Sequence, residues 1–270
     1  ILAQVLHSQM DQSKIDSSGA EEAGATGSKI SEESTAARSQ EDDRELEAEP
    51  GEEDSSNVEN DTTHKFSLEE TVVIFDWDDT VMPSSWVQEQ GLQLDTDISA
   101  KQQAELGALS QIAQTTITCA MKLGTVLLVT NAERGWIELS CQKFLPELFP
   151  LLSHVKILSA RSAYECADLP TPFDWKLRAF ETEIARVFAG SSRRRNLLSF
   201  GDSSHEREAL ITATAQLFNC RTKSLKFVER PNVDQLCRQH EFVASCLAKI
   251  VHHDGNLDLN LKGVDTSSQL

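Results

Sequence analysis

Thr71-Val72-Val73-Ile74-Phe75-Asp76-Trp77-Asp78-Asp79-Thr80 is the stretch on which the reading of this chain turns. Its first five residues form a continuous apolar, β-branched run. Such a run predicts a strand covered on both faces, as in a parallel sheet, because a half-solvated strand would alternate with polar residues. The run then stops abruptly on a cluster of acids, and carboxylates directly after a buried strand need a chemical or structural reason.

Outward from this strand the chain repeats one pattern. Residues 81–98 are irregular, with Pro83 and Gly91. Residues 99–122 predict a helix with Leu109, Ile112, Ala113, Thr116, Ile117, Ala120 and Met121 on one stripe, ended by Gly124. Thr125 to Val129 predicts a second buried strand, and 134–148 a helix carrying Trp136, Leu139, Phe144 and Leu148. Val155 to Leu158 reads as a third strand. Thr171-Pro172 opens a helix, with Thr as cap, Pro at the first helical position and Asp174 in the first turn. Asn196 to Phe200 reads as a fourth strand, Ser204 to Phe218 as a helix, and Leu225 to Val228 as a short fifth strand. Pro231 opens a last helix whose face includes His240, read as half-buried core. From His253 onward the expectation is a frayed tail, so 254–270 is read as flexible.

Strands alternating with helices imply a three-layer α/β/α fold around a parallel sheet, whose ligands sit at the carboxyl ends of the strands. Residues 65–253 carry this pattern. Residues 1–64 do not: they hold seventeen acidic and four basic residues and few apolar clusters. Such a segment buries too little apolar surface to offset its chain entropy and is read as a disordered acidic arm.

The formal net charge of −18 argues against a nucleic-acid binder, whose affinity rests on Lys and Arg. The one dense basic run, Arg193-Arg194-Arg195, is read as a solvated loop before a strand. Six cysteines without a C-x-x-C pair argue against a zinc site and fit a reducing compartment. No stretch is long and apolar enough to span a bilayer, and Ile1 to Leu6 is too short for a signal-peptide core. The expected setting is therefore cytoplasmic or nuclear, without membrane partners. The chain does not begin with Met, so an address can precede it.

The polar residues that follow the strands make joint chemical sense. Asp76 and Asp78 follow the first, Thr130 and Asn131 the second, and Asp202 the fourth, with Glu206 one turn into the next helix. Lys176 lies in a helix beside this edge. One carboxylate can attack phosphorus, and a second can protonate the leaving oxygen and later activate water. Carboxylate oxygens suit a hard cation such as Mg²⁺. A hydroxyl and an ammonium can hold phosphoryl oxygens. Each element alone has a plainer use: Asp-x-Asp-x-Thr as a capped turn, Lys176 as a surface lysine, Gly201-Asp202-Ser203 as a helix cap.

Together, Val72-Val73-Ile74-Phe75-Asp76-Trp77-Asp78-Asp79-Thr80-Val81, Leu127-Leu128-Val129-Thr130-Asn131, Phe173-Asp174-Trp175-Lys176 and Gly201-Asp202-Ser203-Ser204-His205-Glu206 resemble, in this order, the four motifs of the haloacid dehalogenase superfamily. The resemblance covers roughly residues 70–230. It implies a Rossmann-like core and an Mg²⁺-dependent phosphatase, a phosphoric monoester hydrolase that works through an aspartyl-phosphate. By the same resemblance Asp76 is nucleophile and metal ligand, and Asp78 is general acid/base and offers its backbone carbonyl to the metal. Thr130, Asn131 and Lys176 grip the phosphoryl group. Asp202 is a metal ligand, and Glu206 either a ligand or an acid placed just behind the ligands. Position 79, often Gly in members acting on small molecules, is Asp here, and position 206 is Glu where Asp is commoner. The wider pattern is similar to a protist branch of the family, which carries no substrate with it.

The intervals 81–124 and 131–175 leave little chain for a cap domain. The expectation is an open site suited to a macromolecular phosphoester such as a phosphoprotein side chain. The alternatives are a catalytically silent binding or scaffold protein on this fold, or a phosphotransferase acting on a small phosphate ester. Trp77 and Trp86 are read as packing, and the acidic arm as a segment that can dock on Arg193 to Arg195.

Overall fold

The computed structural model of the chain describes residues 65–261. The readings made for 1–64, and for the end of the chain from 262, lie outside the described residues. Six strands form one parallel sheet: β1 (Thr71–Phe75), β2 (Thr125–Thr130), β3 (Lys156–Ser159), β4 (Arg195–Gly201), β5 (Cys220–Lys226) and β6 (Leu257–Asn260), in the order β3-β2-β1-β4-β5-β6. Seven helices connect them: α1 (Ser84–Glu89), α2 (Ala100–Met121), α3 (Trp136–Phe144), α4 (Ala160–Tyr164), α5 (Pro172–Val187), α6 (Ser204–Thr214) and α7 (Val233–His252).

The two-residue period of the strands sets the layers. Val73 and Phe75 of β1, Val126 and Leu128 of β2, and Leu198 and Phe200 of β4 face one side, where they meet α2, α3 and α7. Val72 and Ile74, Leu127 and Val129, and Leu197 face the other, against Trp175, Ala179, Phe180 and Ile184 of α5 and Ala209 and Leu210 of α6. All five residues of β1 are buried, as a central parallel strand requires. Phe75 stacks on Phe200 across the β1–β4 pair, with ring centroids 4.6 Å apart.

β1 lies at the centre, with β2 on one side and β4 on the other. The chain winds outward from β1 to β3, then returns across to β4 and winds the other way. Connections on the two sides therefore diverge at the carboxyl ends of β1 and β4, opening the crevice where such sheets place their ligands.

Three readings need correction. Residues from His253 onward are not wholly a frayed tail: Leu257–Asn260 pairs in parallel with β5, and Leu257, Leu259 and Leu261 are buried. The alternating Leu-Asp-Leu-Asn-Leu sequence is a half-buried edge strand. The fifth strand is Cys220–Lys226 rather than 225–228. Its polar sequence hid it, because Lys223 is fully buried, its ammonium donating to Asn196 Oδ1 at 2.6 Å and Val251 O at 2.8 Å. His240 is not half-buried but fully enclosed, with Nε2 2.8 Å from the carbonyl of Thr80.

The Arg193–Arg195 run is more than a solvated loop. Arg194 pairs with Glu70 at 3.2 Å and covers the Phe66 ring, while Arg195 donates to the carbonyl of Phe218 at 3.0 Å. These contacts pin the amino ends of β1 and β4, at the edge of the sheet opposite the crevice.

Candidate functional site

The backbone N–H of Asp76 donates to the carbonyl of Phe200 at 2.8 Å, so the β1–β4 ladder continues one residue past the strand and carries Asp76 into the crevice. The chain then folds into a tight turn, with the N–H groups of Val81 and Met82 both donating to the carbonyl of Trp77 at 2.9 Å. Trp77 anchors this turn from below: its ring is fully buried and its indole N–H donates to Ser140 Oγ at 2.9 Å. Asp79 sits at φ 54°, the left-handed region that favours glycine and that Asp tolerates through its short polar side chain. Its carboxylate accepts from the backbone N–H of Ser85 at 2.8 Å and from the Ser85 hydroxyl at 2.5 Å, tying α1 to the turn. Position 79 therefore has a structural use.

Asp78 stands in a cradle of three donors. Its Oδ1 accepts from the Trp136 indole N–H at 2.8 Å and the Ser84 hydroxyl at 2.5 Å, and its Oδ2 accepts from the Thr130 hydroxyl at 2.9 Å. Thr130 in turn accepts from the N–H of Ala132 at 2.9 Å, which fixes its hydroxyl proton toward Asp78. Donors from α1, β2 and the first turn of α3 thus converge on one carboxylate.

Lys176 reaches the crevice from the opposite layer. Thr171 and Asp174 cap α5 reciprocally, Pro172 starts it, and Lys176 lies on its sheet-facing side. The residue is 1 % exposed. Its ammonium donates to Asp76 Oδ1 at 2.5 Å and to the carbonyl of Val129 at 2.8 Å, and lies 3.0 Å from Glu206 Oε1. All three of its proton directions have an acceptor.

Glu206 serves two ends. As the third residue of α6 its Oε2 accepts from the Ser203 hydroxyl at 2.5 Å and the Ser203 N–H at 3.3 Å, closing a capping box. Its Oε1 faces Lys176. A side chain on Gly201 would put its Cβ 2.5 Å from the Glu206 Cγ, so a residue with no Cβ is required for the acid to lie here. Asp202 follows directly. Carboxylate oxygens of Asp76, Asp202 and Glu206 all lie within 4.8 Å of one another, a spacing that can hold a cation.

Three carboxylates around one ammonium leave an excess of negative charge. Burial pushes the Asp76 carboxyl well up, helped by Glu206 and Asp78 and opposed by Lys176. Burial, with Glu206 and Asp79 nearby, pushes Asp202 to about 7. Burial works against the Lys176 ammonium too, but Asp76 and Glu206 outweigh it and raise its pKa. Glu206 is held below its ordinary value, since Lys176 and Ser203 together exceed its burial.

The structure thus brings Asp76, Lys176, Asp202 and Glu206 into one group, and Asp78 and Thr130 into an adjoining one. The Asp78 carboxylate turns to its cradle, away from the acidic triad. The Asn131 amide N–H donates to the carbonyl of Pro172 at 3.2 Å, bracing the entry to α5, while its Oδ1 is buried with no hydrogen-bond partner among the described residues. Trp136 and Ser84 were not legible as site residues. Both look like ordinary first-turn helix residues, and only the fold carries them to Asp78.

No profile of a known protein family, no curated protein and no solved structure matches the chain. No helix among the described residues is long and apolar enough to cross a membrane.

Proposed function

We propose that this is a phosphatase of haloacid dehalogenase type, acting on a phosphate monoester through an aspartyl-phosphate on Asp76. The observation that carries the reading is the convergence on one sheet edge of a buried carboxylate against a buried lysine, two further acids, and a separate carboxylate held by three donors. Structural ion pairs seldom need all of these at a ligand crevice.

The donor set fits a hard divalent cation: three carboxylates, no sulfur or imidazole, and more negative charge than Lys176 neutralises. Asp76, Asp202 and Glu206 would hold Mg²⁺, with the Asp78 carbonyl as a further oxygen. When bound, the ion supplies positive charge against the phosphoryl oxygens and keeps the nucleophilic carboxylate ionised.

The protein's own groups divide the rest. Lys176 occupies Asp76 Oδ1, so Oδ2, which accepts no hydrogen bond among the described residues, is the oxygen that attacks phosphorus. A new Asp76 Oδ2–phosphorus bond forms as the bond from phosphorus to the ester oxygen breaks. Asp78 gives that oxygen a proton. In the second half Asp78 takes a proton from water, the water oxygen bonds to phosphorus, and the acyl phosphate releases inorganic phosphate. Thr130 and Trp136 hold the Asp78 carboxylate between these steps. Thr130 can turn its hydroxyl to a phosphoryl oxygen once Asp78 leaves the cradle.

The described chain inserts no separate domain over this edge. Between β1 and α2 lie the acidic turn, the short helix α1 and a connecting segment of residues 90–99. An open edge suits a phosphoester carried on a larger molecule, whose surface excludes water in place of a lid. The test is hydrolysis of an aryl phosphate by the full chain with Mg²⁺ and with EDTA. Metal-dependent turnover supports the reading. A folded chain with neither turnover nor metal affinity instead indicates a binding protein on this fold.

A further inference from the structure

Beside the Asp78 cradle, at the carboxyl ends of β2 and β3, lies a cavity of about 280 Å³. That is near the lower end of the roughly 300–1,000 Å³ of small-molecule sites, so it suits one side chain rather than a cofactor. Ile137, Ile157 and Leu158 give it apolar walls, and Glu133, Arg134 and Glu138 give it charge. Thr130, which donates to Asp78, also lines it. The cavity therefore shares a wall with the group assigned here to general acid/base work.

Glu138 makes the cavity informative. It sits in the first turn of α3, where the helix dipole accounts for an acid. The dipole does not account for its Oε2, which is shielded from solvent and has no hydrogen-bond partner among the described residues. A buried carboxylate oxygen without a donor is costly, and that cost is removed when a donor enters. Arg134 does not serve: it is exposed and forms no ion pair among the described residues.

From this we infer that the cavity is a specificity subsite for a basic side chain, Lys or Arg, of a phosphorylated polypeptide. This rests on the phosphatase reading and gives it a substrate class. Two carboxylates against one guanidinium favour a cationic occupant over a neutral donor. The apolar walls match the methylene stem that a lysine or arginine brings with its charge.

The test uses the whole chain of residues 1–270 and two peptide series. In one, a serine peptide carries a single lysine scanned through the positions flanking the serine. The other repeats the set with a non-hydrolysable phosphonate in place of the serine side chain. Norleucine replaces lysine in the controls. Binding is read by fluorescence anisotropy for wild type and Glu138→Gln, beside aryl phosphate turnover by both. The expected result is one lysine position that binds about tenfold more tightly than its norleucine control, as one charge-assisted hydrogen bond would give. That preference should vanish in Glu138→Gln, which keeps wild-type turnover of the aryl phosphate. Equal binding of lysine and norleucine peptides at every position overturns the subsite, and so does a preference that survives in Glu138→Gln. Absence of aryl phosphate turnover in wild type overturns the phosphatase reading instead, while the lysine preference of the plain serine peptides still decides the cavity.

Discussion

The Trp136 indole N–H lies 2.8 Å from Asp78 Oδ1, joining the first turn of α3 to the acidic turn that follows β1. The two residues are far apart in sequence, and neither position alone suggests the other. The contact gives the proposed general acid/base a fixed orientation from a helix whose Ile137, Cys141 and Phe144 are buried in the core.

Trp136→Phe keeps the ring and removes this donor. Positioned acid/base groups contribute about 10²–10⁴ to rate, and loss of one of three orienting bonds should remove part of that. The expected outcome is a fall in kcat of roughly tenfold with KM little changed, read by steady-state hydrolysis of an aryl phosphate. A change confined to KM would mean that Trp136 touches substrate rather than Asp78.

Lys176→Met removes the one ammonium among three acids. Breaking a buried ion pair from one side costs about 3–5 kcal/mol, because the remaining charge is left uncompensated. Denaturant unfolding should show a loss of that order in EDTA. Mg²⁺ should raise the melting temperature of the variant more than that of wild type, since a cation at the triad then offsets charge that Lys176 no longer does. An unchanged melting temperature in EDTA would contradict the burial of the pair.

Two buried bases make stability depend on pH in the same direction. Burial lowers His240 to about 4, against an ordinary 6.5, although its contact with the Thr80 carbonyl opposes the shift. Between these values the unfolded chain binds a proton that the folded chain refuses, so stability falls as pH drops from about 6.5 toward 4. Burial likewise lowers Lys223 to about 7 from 10.5, so stability rises as pH climbs from about 7 toward 10.5. Urea midpoints should increase with pH between about 7 and 10.5. Below 7 the raised carboxyls of Asp202 and Asp76 pull the other way. The His240 contribution is therefore read as the wild-type midpoint minus that of His240→Gln, a difference that should grow as pH rises from about 4 to 6.5.

Leu259 of β6 is 2 % exposed at the end of the described chain. Leu259→Ala should cost about 2–5 kcal/mol, the range for a buried leucine truncated in a core. A cost near zero by denaturant titration would mean that the strand docks only loosely.

Much of this architecture is legible from composition and period. The apolar runs of β1, β2 and β4 announce themselves because central parallel strands are buried on both faces. The caps Thr171 and Ser203 mark the starts of α5 and α6. The strands β5 and β6 escape notice for opposite reasons. In β5 the fold buries Lys223 by giving its ammonium two oxygen acceptors, which no local pattern reports. In β6 the alternation spans only Leu257 to Leu261 and follows a helix end that looks like a terminus. At the site, Asp76, Asp78, Lys176, Asp202 and Glu206 stand out because acids and a lysine at strand ends and helix starts call for an explanation. Trp136, Ser84 and the cavity at Glu138 do not, because their meaning depends on distances between segments.

The central claim is that Asp76 becomes phosphorylated. The most direct measurement is peptide mass mapping of the full chain, quenched in acid during turnover of an aryl phosphate with Mg²⁺, beside Asp76→Asn. The account predicts one added phosphoryl group on the peptide that carries Asp76 in wild type, and neither adduct nor turnover in Asp76→Asn. Turnover that persists in Asp76→Asn, or a phosphoryl group found on another residue, would contradict it.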